Sequence, residues 1–219
     1  MALAIFDLDN TLLNGDSDHG WGQFLVDQGI VDGQTFKEAN DRFFEQYQNG
    51  TLNIYEYCEF TLNTLSEYSM EQLAQWHQQF MADMVLPMIL AKGRALINEH
   101  RQKGDFILII TATNAFVTGP IAKSLSADDL IATEPEIVNG RYTGKVIGTP
   151  SFQEGKIKRL QQWLANHNQH SIHGSYFYSD SFNDIPLLEI VDHPIAVDPD
   201  LKLEGEANSR GWPIISLRD

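Results

Sequence analysis

From Pro87 to the C-terminus, short and continuously apolar runs alternate with stretches of helical period. That alternation constrains the fold more than any other feature of the chain. Phe106-Ile107-Leu108-Ile109-Ile110 is apolar at every position, as in a strand covered on both faces. Ser175-Tyr176-Phe177-Tyr178, Ile195-Ala196-Val197 and Ile214-Ile215 repeat the pattern, and residues 3–8 open the chain with it. Between these runs the periodicity predicts helices over about 88–103, from near 115, over 153–168 and over 183–191. The first should stop at Lys103-Gly104. Ile137-Val138-Asn139-Gly140-Arg141-Tyr142 places an Asn-Gly pair between apolar residues and predicts a β-hairpin. Alternating βα units predict an α/β fold with a doubly wound parallel sheet. Such sheets bind ligands outside the carboxyl ends of their strands.

The stretch from Asp16 to Met84 breaks the alternation. It carries no strand pattern, only helical groupings such as Trp21/Phe24/Leu25, Phe36/Phe43/Phe44/Tyr47 and Leu73/Trp76/Phe80. Ser17 or Asp18 is the expected cap of the first helix, and Ser69 with Gln72 forms the pattern of a capping box. The chain therefore divides into a core, residues 1–15 and 85–219, and a helical insert, residues 16–84.

Charge narrows the partners. Thirty Asp and Glu face fifteen Lys and Arg, a net charge of −15. That balance argues against binding nucleic acid by phosphate neutralisation and against docking on an anionic membrane. No run reaches the ~18 apolar residues of a membrane span, and no basic leader opens the chain, so a soluble, cytoplasmic protein is expected. Cys58 is the single cysteine and sits among aromatics, so it reads as a buried small hydrophobe. His167, His170 and His173 gather at a predicted helix end, without the Cys or carboxylate spacing of a zinc site. His19, beside Asp18, is expected to be exposed, with a place on the pocket wall as the alternative.

Four segments fall at predicted strand ends or helix starts. The first is Asp7-Leu8-Asp9, two carboxylates on one side of an extended chain. Read alone, the pair is either a polar turn or a site for a hard cation such as Mg2+. The second is Thr111-Ala112-Thr113-Asn114, the third Gly155-Lys156 and the fourth Asp180-Ser181-Phe182-Asn183-Asp184. Each has an ordinary structural reading: Thr111 as a helix cap, Lys156 as a solvated lysine, Asp180 and Asp184 as helix-start charges. Together they supply what phosphoryl transfer needs. A carboxylate can attack phosphorus, a second can move the proton, and a hydroxyl with amides can hold phosphoryl oxygens. A lysine can offset the charge, and a further acid can complete a metal site.

The set Asp7-x-Asp9-x-Thr11, Thr111, Lys156 and Asp180-x-x-Asn183-Asp184 resembles the haloacid dehalogenase superfamily. The insert after the first motif resembles its C1-type cap. The chain is most similar to the phosphoserine-phosphatase-like branch, subfamily IB, in a subgroup that includes histidinol-phosphatases. The resemblance implies a Mg2+-dependent phosphatase acting on a small phosphomonoester through an aspartyl-phosphate. It implies Asp7 as nucleophile and metal ligand, and Asp9 as general acid/base touching the metal through its carbonyl. Thr111 and the Ala112 amide would bind phosphate, Lys156 would steady the phosphoryl group, and Asn183 would face it. Asp180 would ligate Mg2+, with Asp184 supporting the metal shell.

In phosphoserine phosphatases an acid shortly after the first motif meets the substrate amine, and Asp16 falls there. Their cap arginine for the substrate carboxylate has no counterpart, since the one cap arginine, Arg42, lies elsewhere. An amino-phosphate without a carboxylate, such as histidinol phosphate, suits Asp16 and Asp18 better. These two acids can equally serve as helix caps. A phosphomutase or phosphotransferase would keep the same constellation, and a non-catalytic phosphoryl-binding protein is the reading of a different class.

Overall fold

A computed structural model describes residues 2–218. It contains a seven-stranded sheet ordered β4-β3-β2-β1-β5-β6-β7. The strands are β1 (Leu3–Phe6), β2 (Phe106–Asn114), β3 (Asp129–Val138), β4 (Arg141–Ile147), β5 (Tyr176–Ser179), β6 (His193–Val197) and β7 (Ile214–Ile215). All pairs are parallel except β3–β4, the hairpin turned at Asn139-Gly140. β1 lies at the centre, with Ala4 in register with Ile107 on one side and Tyr176 on the other.

Alternation along β1 divides the core into two layers. Ala4 and Phe6 join Ile107 and Ile109 on the face packed by helices α6 (Ala91–Gln102) and α7 (Ala115–Ser124). Leu3 and Ile5 join Leu108 and Ile110 on the other. There they meet Leu160 and Trp163 of α8 (Glu154–Asn166), Leu187 and Leu188 of α9 (Ile185–Leu188), and Leu203 of α10 (Leu201–Arg210). Both faces are buried, which is why the central strands carry no polar alternation.

The insert follows β1. It comprises α1 (Ser17–Asp27), α2 (Gly33–Asn49), α3 (Ile54–Ser66) and α4 (Met70–Phe80). A π-helical turn (Met81–Val85) and the short α5 (Leu86–Met88) lead back to the core. Its two ends are zipped together: Leu13 bridges Ile89, and the Asn14 and Leu90 amides donate to Met88 and Leu12 carbonyls. The predicted capping box at Ser69 and Gln72 forms in both directions. Cys58 is buried as expected.

Several boundaries differ from the sequence reading. β1 ends at Phe6 rather than residue 8, because the Leu8 carbonyl accepts from the Thr11, Leu12 and Leu13 amides in a turn. The cap of α1 is Asp16, not Ser17 or Asp18: its carboxylate accepts from the Asp18 and His19 amides. The helix expected from residue 88 starts at Ala91, because Ile89 and Leu90 are extended. The helix expected over 183–191 is a 3-10 turn (Phe182–Asp184) followed by the four-residue α9. Most of β3 and all of α10 carried no pattern strong enough to read.

Candidate active site

The strand order reverses between β1 and β5, and such a reversal opens a crevice at the strand ends. Asp7 follows β1 there, one residue beyond its end, and Asp180 follows β5. The Asp7 amide donates to the Tyr178 carbonyl at 2.9 Å, which holds the two chain ends together. Thr11 sits between the acids. Its hydroxyl donates to Asp180 Oδ1 at 3.0 Å and lies 3.4 Å from Asp7 Oδ2, and its oxygen accepts from the Asp180 amide.

Lys156 is delivered from the opposite direction by the first turn of α8. The approach to that helix is tight: a Cβ on Gly155 would lie 2.1 Å from the Pro150 carbonyl oxygen, so no side chain fits at position 155. Lys156 is buried, with Nζ 2.7 Å from Asp7 Oδ1 and 2.8 Å from an Asp184 carboxylate oxygen. Burial alone would lower its pKa, but Asp184 and Asp7 hold it above the usual lysine range. Asp184 is fixed in turn by the Ser179 hydroxyl at 2.7 Å. Its carboxylate therefore serves Lys156 directly.

Asp9 points the other way, toward the insert. Its carboxylate accepts from the Ser17 amide at 2.6 Å and the Thr113 hydroxyl at 2.8 Å. Burial, reinforced by Asp16, pushes it up to about 7 against these hydrogen bonds. Asp7 also rises to about 7, through burial, with Lys156 opposing and Asp184 adding to the shift. A carboxyl balanced near neutrality is suited to giving and taking a proton.

Above Asp7 and Asp9 lies a cavity of about 40 Å³. Thr111, Ala112 and Thr113 of β2 form its floor beside the two acids. Asp16, which caps α1, Asp18 and His19 within it, the aromatics Phe43, Phe44 and Tyr47 from α2, and Tyr57 from α3 form its walls. Asp18 is buried, accepts from Asn114 Nδ2 at 3.4 Å and bonds the Tyr57 hydroxyl. Burial, then Asp16, raises it to about 8. Burial raises Asp16 as well. Among the described residues, no Lys or Arg lines this cavity.

The sequence-predicted residues thus converge, with two differences in detail. His19, expected to be exposed, lines the cavity, because Asp41 of α2 holds its ring at 2.9 Å. The Asn183 side chain is taken up by its neighbours: Gln153 Nε2 donates to it at 2.9 Å, and it donates to the Tyr47 carbonyl and Ser181 hydroxyl. Sequence reasoning gave Ser17 only as a helix cap and Thr113 only as part of the Thr111–Asn114 segment, and assigned no part to Ser179 or Tyr57. Thr113 had a readable sign, since period two places it on the same side of β2 as Thr111. The other three follow from tertiary approach.

A mostly parallel α/β sheet thus carries a buried carboxylate–lysine–carboxylate array at its switch point. The chain belongs to the haloacid dehalogenase-like hydrolases, whose family profile matches residues 4–189, and within them it is a phosphatase. It is 47% identical over 219 residues to a histidinol-phosphatase of Neisseria meningitidis, covering 99% of both chains. A solved protein of Bordetella pertussis Tohama I superposes with a TM-score of 0.93 at 45% identity, over 99% of this chain and 98% of the other. A substrate-bound phosphoserine phosphatase shares the fold, with a TM-score of 0.72 at 17% identity over 98% and 92% of the chains. No described helix is long and apolar enough to cross a membrane.

Proposed function

We propose that this phosphatase is Mg2+-dependent, works through an aspartyl-phosphate on Asp7, and acts on histidinol phosphate or a similar amino-phosphate. The cavity supports the substrate reading: carboxylates and aromatic rings surround the place of the leaving group, with no cation for a substrate carboxylate. Arg42 is exposed, its guanidinium 4.8 Å above the Phe43 ring and outside the cavity. An ammonium suits such walls, and a second carboxylate does not. The 47% identical histidinol-phosphatase of Neisseria points the same way.

In this reading one Asp7 oxygen attacks phosphorus while the bond to the leaving oxygen breaks and Asp9 gives that oxygen its proton. Asp9 then takes a proton from water, which attacks the same phosphorus and releases inorganic phosphate and free Asp7. Lys156 holds Asp7 in one orientation and offsets charge on the phosphoryl oxygens, which Thr111 and the Ala112 amide also bind. Residues 16–84 act as a cap that excludes water and chooses the leaving group.

The donor set fits Mg2+. Asp7 and Asp184 hold the one buried lysine, and Asp9 and Asp180 lie beside them with no cation of their own, so acids outnumber cations at the site. Among the described residues, no three His, Cys, Asp or Glu side chains are spaced to enclose a metal. Mg2+ asks for less, taking one or two carboxylates with waters and substrate phosphate. Asp7, Asp180 and the Asp9 carbonyl would hold it, with Asp184 behind. Bound there, it supplies Lewis-acid charge to the phosphoryl oxygens.

A phosphate-release screen with Mg2+ tests the proposal over histidinol phosphate, phosphoserine and sugar phosphates. The highest kcat/KM is expected for histidinol phosphate. Equal or better turnover of phosphoserine would overturn the substrate reading, and isomerised product without free phosphate would identify a mutase.

A further inference from the structure

At about 40 Å³ the cavity over Asp7 is far smaller than the ~300–1,000 Å³ of ordinary ligand pockets. A phosphomonoester cannot occupy it unless a wall moves. Outside lies an open groove of about 550 Å³, and Phe44 and Tyr47 of α2 line both spaces. These two side chains separate the groove, which Asp180 also lines, from the cavity over Asp7 and Asp9. What holds α2 in place therefore governs substrate access.

The last turn of α2 is fastened to the loop that carries Asp180. Phe182 projects from that loop into a notch at Gly50, the residue that ends α2 with φ 75°. A Cβ at Gly50 would stand 2.6 Å from the tip of the Phe182 ring, so the notch exists only because residue 50 is glycine. Lys202 of α10 closes the arrangement: its ammonium lies 4.0 Å from the Phe182 ring centre and donates to the Asn49 carbonyl at 3.3 Å. Asp200 anchors both sides, accepting from the Phe182 amide at 2.7 Å through one oxygen and from the Lys202 amide through the other. Two weaker contacts complete the joint, Tyr47 hydroxyl to Ser181 hydroxyl and Asn183 to the Tyr47 carbonyl, each 3.4 Å.

We propose that the Phe182 ring, seated in the Gly50 notch under the Lys202 ammonium, is the latch that holds α2 closed over the cavity, with Gly50 and Lys202 as positioning residues for substrate binding. The proposal rests on the phosphatase reading for its kinetic consequence, though not for its structural one. α2 swings from this latch end to admit substrate, and the loop bearing Asp180 and Asn183 feels whether α2 is closed. A cation–π contact with three long hydrogen bonds, of 3.3–3.4 Å, is weak enough to open often.

Amide hydrogen exchange of the substrate-free protein tests the latch without reference to any substrate. In Lys202→Ala and Gly50→Ala, amides of residues 43–50 should exchange about fivefold faster than in the parent, while those of α6 and α8 keep their rates. Lys202→Arg, which retains cation and donor, should restore the parental rate. With p-nitrophenyl phosphate the two loosened variants should show KM raised several-fold and kcat within about twofold. Parental exchange over 43–50 in Lys202→Ala, or acceleration spread equally over α6 and α8, overturns the latch. Failure to hydrolyse any phosphomonoester would overturn the phosphatase reading and leave the exchange result intact.

Discussion

The Thr11 hydroxyl donates to Asp180 Oδ1 at 3.0 Å, joining residues 169 positions apart in sequence. The same oxygen accepts from the Asp180 amide, and it lies 3.4 Å from Asp7. One buried hydroxyl thereby sets the separation of the two carboxylates proposed to share Mg2+. Thr11→Val keeps the shape and removes the donor. The Mg2+ concentration for half-maximal activity should rise about 10–100-fold, the usual range for groups that orient a metal ligand. Titrating activity with Mg2+ checks this, and an unchanged midpoint would show that Asp180 needs no such support.

Asp7→Asn should reduce phosphate release by on the order of 10³-fold or more, because an amide is a poor nucleophile toward phosphorus. The substitution is nearly isosteric and keeps an oxygen facing Lys156, so circular dichroism should match the parent. Residual activity near the parental level would place the nucleophile elsewhere. Removing Mg2+ with EDTA should silence the parent enzyme, and added Mg2+ should restore it.

Lys156→Met should act on stability as well as rate. The ammonium is buried between Asp7 and Asp184, and removing it leaves two carboxylates without their partner. Breaking a buried pair from one side costs about 3–5 kcal/mol. Urea unfolding of the metal-free protein should show a midpoint lowered accordingly. A midpoint within error of the parent would mean that the two acids take up protons at little cost.

Much of this site was legible because its parts occupy positions that short-range pattern can mark. Asp7 and Asp9 end an apolar run, Thr111 ends another, and Lys156 and Asp180 stand at the next helix start and strand end. Local period fixes those places to within a residue or two. The bond from the Ser17 amide to Asp9 and the parts of Ser179 and Tyr57 were invisible for the opposite reason. A serine after a strand looks the same whether or not a carboxylate will later approach it. β3 was half-read: the Asn-Gly hairpin marks its end, but its start at Asp129 pairs with Leu108, a partner no local pattern supplies. The first helix cap was misplaced by one residue because Asp16, Ser17 and Asp18 are all good caps, and only the tertiary bond from the Ser17 amide to Asp9 decides among them.

The Asp18 carboxyl gives a signed dependence of stability on pH. Burial and Asp16 raise it from 3.8 to about 8 in the folded protein. Between those values the folded state holds the proton that the unfolded state releases. Its contribution is therefore complete below pH 3.8 and is lost as pH rises through about 8. Asp18→Asn removes the titration while keeping an acceptor for Asn114. Thermal unfolding from pH 5 to 9 in one buffer series should show a smaller loss of Tm for Asp18→Asn than for the parent. Parallel curves would mean that Asp18 is already ionised in the folded state.

Asp16 has two duties that must be separated before its contact with substrate can be judged. It caps α1 by accepting from the Asp18 and His19 amides at 2.9 Å, and it forms part of the cavity wall. Asp16→Ala removes both, and loss of an N-cap alone costs about 1 kcal/mol. Asn caps a helix as well as Asp does, so Asp16→Asn keeps the cap and removes only the charge. If that charge meets the ammonium of an amino-phosphate, Asp16→Asn should raise KM for histidinol phosphate about tenfold with Tm nearly unchanged. The hydrogen bond between an ammonium and a carboxylate is worth roughly 1.5–3 kcal/mol, which sets the scale. KM for p-nitrophenyl phosphate, which has no ammonium, should stay near the parental value. An equal rise for both substrates would show that Asp16 shapes the closed cavity rather than reading the amine, and the search for the amine's partner would then pass to Asp18.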